Sequence, residues 1–254
     1  MRDALLALAR SAADAIAGLR GDPAERVGTG YSGAATSHLD QVAEDAILAK
    51  VDELALKVNV LTEERGLIDR GHGDLLVVDP VDGTVNALRG IGVWGISLAV
   101  GRGSLAGITH GLVYEPVGGN AYYAEKGQGA TLNGEQLKVG SLGDGSTLFL
   151  VYLGQSARPE AYRVAASARR TRALGSASLE LCFVARGAAN LYYVNAEAAA
   201  QLRIVDIAAG VLLVREAGGL VVDLDRKPLD TPLTTAARTN LIAAGDADVL
   251  EALP

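Results

Sequence analysis

Apolar residues recur along the first part of the chain at the spacing of an amphipathic helix. The intervals between them are four and three residues, which places their side chains on one face of a helix. A first helix is therefore predicted near the start of the chain. The residues that form this pattern are Leu5, Ala9, Ala12, Ile16 and Leu19.

A second helix is predicted from Ser37 to about Lys57, after the glycine-rich loop GTGYSGAATS. Ser37 is followed three residues later by Asp40, which loosely matches a capping box at a helix start. The apolar side of this helix is predicted to contain Val42, Ala46, Ala49, Ile47, Val51 and Leu54.

Short apolar runs then indicate strands. KVNVL and DLLVVD predict two strands, the second ending at Asp79. From there to about Leu142, runs punctuated by glycine predict strands joined by tight turns, and Asn133-Gly134 is a strong hairpin signal. This pattern favours an antiparallel sheet.

Beyond Leu142 the pattern changes to strands that alternate with helices, including a helix from about Pro159 to Arg170. Such alternation is typical of an α/β layer. We therefore predict an α/β (α+β) protein with an N-terminal antiparallel sheet subdomain, residues 1–142, and a C-terminal α/β subdomain, residues 143–254. Because no linker separates them, the two should form one compact unit.

Composition narrows the class of protein. The 254 residues are 49% hydrophobic, enough for a large core, and 23 basic against 30 acidic residues give a net charge of −7. This charge disfavours non-specific binding to nucleic acid or to an anionic membrane. The lone Cys182 has no partner for an internal disulfide, and no apolar run is long enough to span a bilayer. A cytoplasmic protein is predicted.

The stretch VVDPVDGT places two carboxylates at the end of an apolar strand. Pro80 forces an extended conformation on Asp79, and a turn can bring Asp82 to the same point. Two carboxylates that share a site are ionised together only with a cation between them, which favours a divalent metal that prefers oxygen ligands. Taken alone, the same residues are also typical of a surface turn.

Further acidic residues stand where such a cluster can recruit them. Glu63 and Glu64 follow the strand VNVL, and Asp206 opens the helix DIAAGVLL. Hard cations take several oxygen ligands, and two-metal phosphoesterases share carboxylates between ions. A solvated loop for the glutamates and a helix cap for Asp206 are the alternatives.

Taken together, LTEERG, DPVDGT and VDIAAG resemble the motifs of the inositol monophosphatase family of metal-dependent, lithium-sensitive sugar phosphatases. More closely, GTGYSGAATSHLDQVAED, GSASLELC and EAGGLVVDLDRKPLD are similar to the archaeal enzymes that act on both inositol monophosphate and fructose 1,6-bisphosphate. The resemblance covers nearly the whole chain. It implies a layered αβαβα sandwich and a homodimer.

The resemblance also implies roles for individual residues. Two Mg²⁺ ions per subunit are expected, with a third proposed for some members and held through Glu63. The implied activity is hydrolysis of a sugar or inositol phosphate monoester by direct in-line attack of metal-activated water, which Thr84 orients together with Asp40. Asp79 would bridge the two ions. The implied metal ligands are Glu63, Asp79, Val81 through its carbonyl, Asp82 and Asp206.

Substrate contacts are implied in the same way. The backbone amides of Gly83 and Thr84 should hold the phosphate next to Asp82. Arg169, Arg170 and Arg172 form the densest basic cluster of the chain. A helix end favoured by the helix dipole is the alternative for Arg169 and Arg170 but does not account for Arg172, which is predicted to lie in the next strand. The residues implied near the sugar are Arg172, Gly175 and Ser176.

Three positions depart from the family pattern. Glu197 stands where the archaeal relatives carry an arginine implicated in binding the second phosphate of fructose bisphosphate, which weakens that assignment unless Arg203 or a partner subunit substitutes. Ala87 replaces an aromatic residue and Val205 a tryptophan. None of these changes affects an implied metal ligand.

Two other functions stay open. One is a phosphatase of the same superfamily that acts on 3′-phosphoadenosine nucleotides or NADP, which an adenine pocket would distinguish. The other is a catalytically silent metal-binding regulatory protein, which would require a broken set of metal ligands. The complete set of acidic residues favours the enzyme.

Overall fold

The computed structural model describes residues 1–31, 33, 35–141 and 147–254. Over this part of the chain the α-helices are α1 (Arg2–Ala17), α2 (His38–Glu53), α3 (Thr84–Leu88), α4 (Pro159–Ser167), α5 (Ala177–Ala185), α6 (Ile204–Glu216) and α7 (Ala247–Glu251). The strands are β1 (Arg26–Thr29), β2 (Ala35–Ser37), β3 (Val58–Thr62), β4 (Gly66–Ile68), β5 (Asp74–Asp82), β6 (Gly95–Gly101), β7 (Ile108–Glu115), β8 (Asn120–Glu125), β9 (Gly129–Leu132), β10 (Glu135–Gln136), β11 (Leu148–Val151), β12 (Arg170–Arg172), β13 (Leu191–Val194), β14 (Leu202–Arg203), β15 (Leu220–Val222), β16 (Arg238–Thr239) and β17 (Leu241–Ala244).

Most of these strands belong to two sheets. The large sheet has eight strands in the order β10-β9-β8-β7-β6-β5-β3-β4, and the smaller sheet has five in the order β12-β11-β13-β17-β15. The large sheet is antiparallel, as predicted, except that β3 and β5 are parallel. This exception arises because β4 occupies the edge beside β3, so that the chain returns to the other side of β3 in the original direction.

The helices and sheets form the five layers αβαβα that the family resemblance implies. Helices α1 and α2 cover one face of the large sheet, α5 and α6 lie between the sheets, and α4 and α7 cover the outer face of the smaller sheet. Strand β5 shows the alternation that this requires. Its Leu76 and Val78 join the core with α1 and α2, whereas Val77 joins the core with α5 and α6.

The core between the sheets contains residues from both halves of the chain, such as Val113 of β7 and Leu212 of α6. The predicted boundary at residues 142/143 lies outside the described residues. The division into two subdomains therefore stays a prediction. Among the described residues, no helix combines the length and the apolar composition that crossing a membrane requires.

Helix α2 confirms its predicted start and corrects its predicted face. The Ser37 hydroxyl accepts a hydrogen bond from the Asp40 amide at 3.2 Å, and the capping box is complete. The helix ends at Glu53, not near Lys57. Of the predicted core residues, Ala49 and Leu54 are exposed, and Val42 and Ala46 are only half-buried. The reason is that α1 and β5 pack against a neighbouring face of α2. The buried apolar residues of α2 are Leu39, Ala43, Ile47, Leu48 and Val51.

Two predicted element ends also need correction. Strand β5 does not end at Asp79 but continues to Asp82, with an irregular register between the two aspartates. Pro80 has no N–H to donate to the ladder, which accounts for the irregularity. Helix α4 ends at Ser167 and not at Arg170, because Arg170–Arg172 pairs with β11 as β12.

The predicted hairpin turn at Asn133-Gly134 is confirmed between β9 and β10. Asn133 has φ of 52° and Gly134 has φ of 93°. A two-residue turn with both φ angles positive is the tight hairpin turn that Asn-Gly favours. Local sequence therefore determines this edge of the large sheet.

Candidate active site

Three acidic side chains meet where the large sheet faces α6. Glu63 directly follows β3, Asp79 lies in β5, and Asp206 lies in the first turn of α6. Because β3 and β5 run parallel as neighbours, they carry Glu63 and Asp79 to the same end of the sheet. One carboxylate oxygen from each of the three residues lies within 4.8 Å of the other two. The predicted convergence of these acids is therefore present.

Asp79 is the most deeply buried member of this cluster. It has no solvent exposure. Its Oδ1 accepts a hydrogen bond from the Val81 amide at 3.1 Å, whereas its Oδ2 has no hydrogen-bond partner. Burial, followed by the charges of Glu63 and Asp82, raises its pKa well above the ordinary value. A buried carboxylate oxygen without a partner is costly, and a hard cation is the chemical group that would satisfy it.

Asp82 has a different environment from the one that the sequence suggests. Its carboxylate accepts hydrogen bonds at the start of α5 from the Ser176 hydroxyl at 2.6 Å, the Ala177 amide at 3.2 Å, and the Ser178 amide and hydroxyl at 2.7 and 2.5 Å. Burial and the charge of Asp206 raise its pKa to about 6. Asp82 thus caps α5 beside the cluster, a role that only the fold reveals. Its predicted part as a metal ligand stays a prediction.

Asp40 and Thr84 come together as predicted. The Thr84 hydroxyl lies 3.0 Å from Asp40 Oδ1 and 3.0 Å from the Val81 carbonyl oxygen. Asp40 also accepts a hydrogen bond from the Ser37 hydroxyl at 2.6 Å, and burial raises its pKa. The Val81 carbonyl, Thr84 and Asp40 therefore form a connected polar chain next to the acid cluster.

Gly83 connects β5 to α3 in a conformation that favours glycine. Its φ is 94°. A Cβ atom at this position would lie 3.1 Å from the Val93 carbonyl oxygen and 3.2 Å from the Gly175 carbonyl oxygen. A side chain at position 83 would therefore strain the turn that joins the acid cluster to Thr84.

Arg203, which the sequence suggested only as a substitute for the missing arginine, lies among the acids of this site. Its Nε donates to Asp206 Oδ1 at 2.9 Å, its Nη2 lies 2.8 Å from the same atom, and its Nη1 is ion-paired with Glu63. Burial alone would lower the pKa of Arg203, but the charges of Asp206 and Glu63 outweigh it and raise that pKa. For Glu63, burial is the larger effect and raises the pKa to about 7 despite the arginine.

A cavity of about 400 Å³ lies against this cluster. Asp82 and Asp206 form part of its wall, and Arg203 contributes positive charge. The other described residues that line it include Asn86, Tyr152, Gly154, Leu174, Gly175, Glu180 and Tyr192. Its size is within the range of small-molecule binding sites.

The predicted sugar contacts lie at different places relative to this cavity. Gly175 lines it, and Ser176 is completely buried where its hydroxyl donates to Asp82. Arg172 is exposed, donates to its own neighbour, the Thr171 carbonyl, at 2.8 Å, and is not one of the lining residues. Glu197 is also exposed and outside the lining. The substrate roles of these residues stay predictions.

Glu180 is a buried cavity residue that the sequence analysis did not single out. Only 4% of it is exposed, its Oε1 accepts a hydrogen bond from the Leu174 amide at 3.1 Å, and burial raises its pKa to about 8. It therefore fixes the wall of the cavity that runs from Ala173 to Gly175. The available signal was a charged residue inside the apolar run SLELCFVA.

Replacing Glu180 by glutamine is expected to change the pH dependence of stability. The pKa of Glu180 is higher in the folded than in the unfolded protein. Its stabilising contribution to the free energy of unfolding is therefore complete below about pH 4.5 and is lost as the pH rises toward 8. E180Q is neutral and keeps an acceptor for Leu174. It should match the wild type at pH 5 and exceed its free energy of unfolding by roughly 3 kcal/mol at pH 8.

Urea unfolding at both pH values measures this difference. Glu135 is an exposed glutamate on β10, and E135Q serves as the matched control that should follow the wild type. If E180Q and the wild type have equal stability at both pH values, Glu180 is not a buried titrating group.

Comparisons with known proteins identify a family for the chain. The model of the inositol monophosphatase family matches residues 1–253. The fructose-1,6-bisphosphatase/inositol-1-monophosphatase of Thermococcus kodakarensis is 37% identical over 229 residues, which cover 90% of this chain and 85% of that protein. Nus factor SuhB of Pasteurella multocida is 32% identical over 199 residues, which cover 74% of this chain and 72% of that protein.

Solved structures share the fold. A protein from Pyrococcus horikoshii, described as hypothetical with similarities to inositol-1 monophosphatase, superposes with a TM-score of 0.84 at 33% identity. The superposition covers 99% of this chain and 96% of that chain. The layered architecture is thus common to both proteins along nearly their whole length.

Proposed function

The chain belongs to the inositol monophosphatase family, and we propose that it is a Mg²⁺-dependent phosphatase that hydrolyses a sugar or inositol phosphate monoester. Inositol 1-phosphate and fructose 1,6-bisphosphate are the proposed substrates, because the Thermococcus kodakarensis relative is named for both activities. The observation that carries the proposal is the unpartnered Asp79 Oδ2 within a three-acid cluster, beside a cavity of about 400 Å³.

The residues at this site fit a hard divalent cation. The cluster offers several carboxylate oxygens, and one of them has no protein partner. We propose Glu63, Asp79, Asp82, Asp206 and the Val81 carbonyl as the ligands of two Mg²⁺ ions, with a third ion held through Glu63 kept as a prediction. Bound Mg²⁺ supplies positive charge for the phosphate and lowers the pKa of a water molecule.

The side chains next to the cluster suit the handling of that water. Asp40 Oδ1 and Thr84 Oγ1 lie 3.0 Å apart. We propose that the Thr84 hydroxyl orients the attacking water while Asp40 accepts the proton that is passed along this hydrogen bond. Gly83 and Thr84 would bind the phosphate through their amides. The proposed reaction is direct in-line attack on phosphorus, without a phosphoenzyme.

Two properties stay predictions, one suggested by the composition and the other implied by the family resemblance. These are location in the cytoplasm and assembly as a homodimer. The proposed partner is a small phosphorylated sugar or inositol, with no role for nucleic acid or a membrane.

A phosphate-release screen tests the proposed activity. Purified protein is incubated with inositol 1-phosphate, fructose 1,6-bisphosphate, NADP and adenosine 3′,5′-bisphosphate, each with and without Mg²⁺. We expect release from one or both of the first two, only with Mg²⁺. Release from the nucleotides alone would indicate the nucleotide phosphatase. No release from any of them would contradict the enzyme and favour a metal-binding regulatory protein.

A further inference from the structure

The guanidinium of Arg203 lies among the oxygens proposed to bind the cation. Its Nη1 is paired with Glu63, and its Nε and Nη2 lie 2.9 and 2.8 Å from Asp206 Oδ1. Glu63 and Asp206 are two of the three residues whose oxygens converge within 4.8 Å. The guanidinium thus occupies two carboxylates that are also proposed as metal ligands.

The backbone of Arg203 is held, whereas its side chain has space to move. Arg203 pairs with Arg238 across β14 and β16, and its amide donates to Asp206 Oδ2 at 2.9 Å. The guanidinium is carried on a long side chain with several rotatable bonds. Arg203 also lines the cavity of about 400 Å³. The guanidinium can therefore leave Glu63 for the cavity without a change in the fold.

We propose that Arg203 is a built-in competitor of the catalytic cation, which holds Glu63 and Asp206 in the metal-free protein and is displaced into the sugar cavity when Mg²⁺ binds. This inference rests on the proposed function and adds a regulatory step to the same site. In the metal-free protein the arginine neutralises part of the repulsion among Glu63, Asp79 and Asp206. After displacement it presents two or more N–H donors toward an anionic substrate.

A consequence of this exchange is coupling between metal and substrate. If a substrate phosphate binds the displaced guanidinium, it disfavours the return of Arg203 to Glu63. By reciprocity, each ligand then increases the affinity of the other. Arg203 would also supply, from within this chain, a positive charge for the second phosphate of fructose bisphosphate. Glu197 cannot supply that charge.

The test compares Mg²⁺ affinity, measured by calorimetry without substrate, between the wild type and R203Q. R203Q is expected to bind Mg²⁺ at least about tenfold tighter, since the competing guanidinium is absent. R238Q is the matched control, because Arg238 pairs with Arg203 in the ribbon but donates to the carbonyls of Thr235 and Ala237 and not to the acids. Its affinity should equal that of the wild type.

A second measurement uses the wild-type protein and does not depend on how well R203Q folds. The Nε–H resonance of Arg203, assigned by triple-resonance NMR of the wild-type protein, is expected to shift and to lose its protection from exchange when Mg²⁺ is added. A resonance that Mg²⁺ leaves unchanged in a protein that binds the ion would overturn the inference.

The remaining outcomes separate the inference from the proposed function. Equal or weaker Mg²⁺ binding by R203Q, together with Mg²⁺-dependent phosphate release by the wild type, would refute the role of Arg203 and leave the phosphatase intact. Absence of Mg²⁺ binding in both proteins, together with no phosphate release, would refute the phosphatase and the inference with it.

Discussion

Replacement of Asp79 by asparagine is expected to abolish hydrolysis and to stabilise the metal-free protein at the same time. Asparagine keeps the acceptor for the Val81 amide but removes the charge of a carboxylate that has no exposure and an unpartnered Oδ2. Turnover should fall at least about 10²-fold, the loss typical of removing one preorganised electrostatic partner. Stability in EDTA should rise by about 1–3 kcal/mol.

The sign of the stability change follows from the pKa. Because burial raises the pKa of Asp79 in the folded protein, its ionisation at neutral pH opposes folding when no cation is present. D79N removes this cost. Urea unfolding in EDTA at pH 7.5 and phosphate release in Mg²⁺ measure the two effects.

Asp74, on the same strand, provides the matched control. It is only partly buried and is paired with Arg102 at 2.5 Å. D74N is therefore expected to change stability by less than about 1 kcal/mol and to retain turnover. Wild-type turnover in D79N would contradict its assignment as a metal ligand. A lower free energy of unfolding of D79N than of the wild type in EDTA would contradict the explanation based on repulsion among the acids.

Removal of divalent cations is expected to produce the other large effect. Dialysis against EDTA should abolish phosphate release, and added Mg²⁺ should restore it. Mg²⁺ at 100 times its dissociation constant should also raise the free energy of unfolding by about 2.7 kcal/mol. D79N, which lacks a ligand, should show a much smaller increase. Full turnover after dialysis against EDTA would contradict metal dependence.

The affinity for Mg²⁺ should also depend on pH. Burial raises the pKa of Glu63 to about 7 and that of Asp82 to about 6. Because the ion binds the ionised carboxylates, it must displace protons, and affinity should fall as pH drops through this range. Calorimetry in two buffers that differ in ionisation enthalpy measures the protons released. Affinity that is constant from pH 5.5 to 8 would contradict this expectation.

Local chemistry accounts for the features that the sequence predicted well. The capping box of Ser37 and Asp40 and the turn at Asn133-Gly134 depend on neighbours within three residues, so short stretches suffice to predict them. Glu63, Asp79 and Asp206 were predicted to converge because each ends or follows a strand or opens a helix where a cluster can recruit it, and because three motifs resemble those of one family. Their convergence is confirmed, whereas their binding of metal stays a prediction.

The missed features depend on contacts between distant residues. Asp82 meets Ser176 and Ser178 across more than 90 residues. Arg203 meets Glu63 across 140. No spacing along the chain reveals such contacts. The face of α2 was mistaken for a related reason, because the helix carries apolar residues on more than one side and packing against α1 and β5 selects which of them are buried.

The four hydrogen bonds that Asp82 accepts from the start of α5 have a further consequence. Through these bonds Asp82, at the end of β5 in the large sheet, is connected to α5 in the helix layer beneath the smaller sheet. The spacing between the acid cluster and the cavity of about 400 Å³ is thereby set by the same atom pairs that join the two layers. A neutral side chain at position 82 would alter reactivity and alignment together. A mutation of Asp82 therefore does not distinguish an effect on catalysis from an effect on the packing of the layers. A mutation of Asp79 is better suited to that purpose.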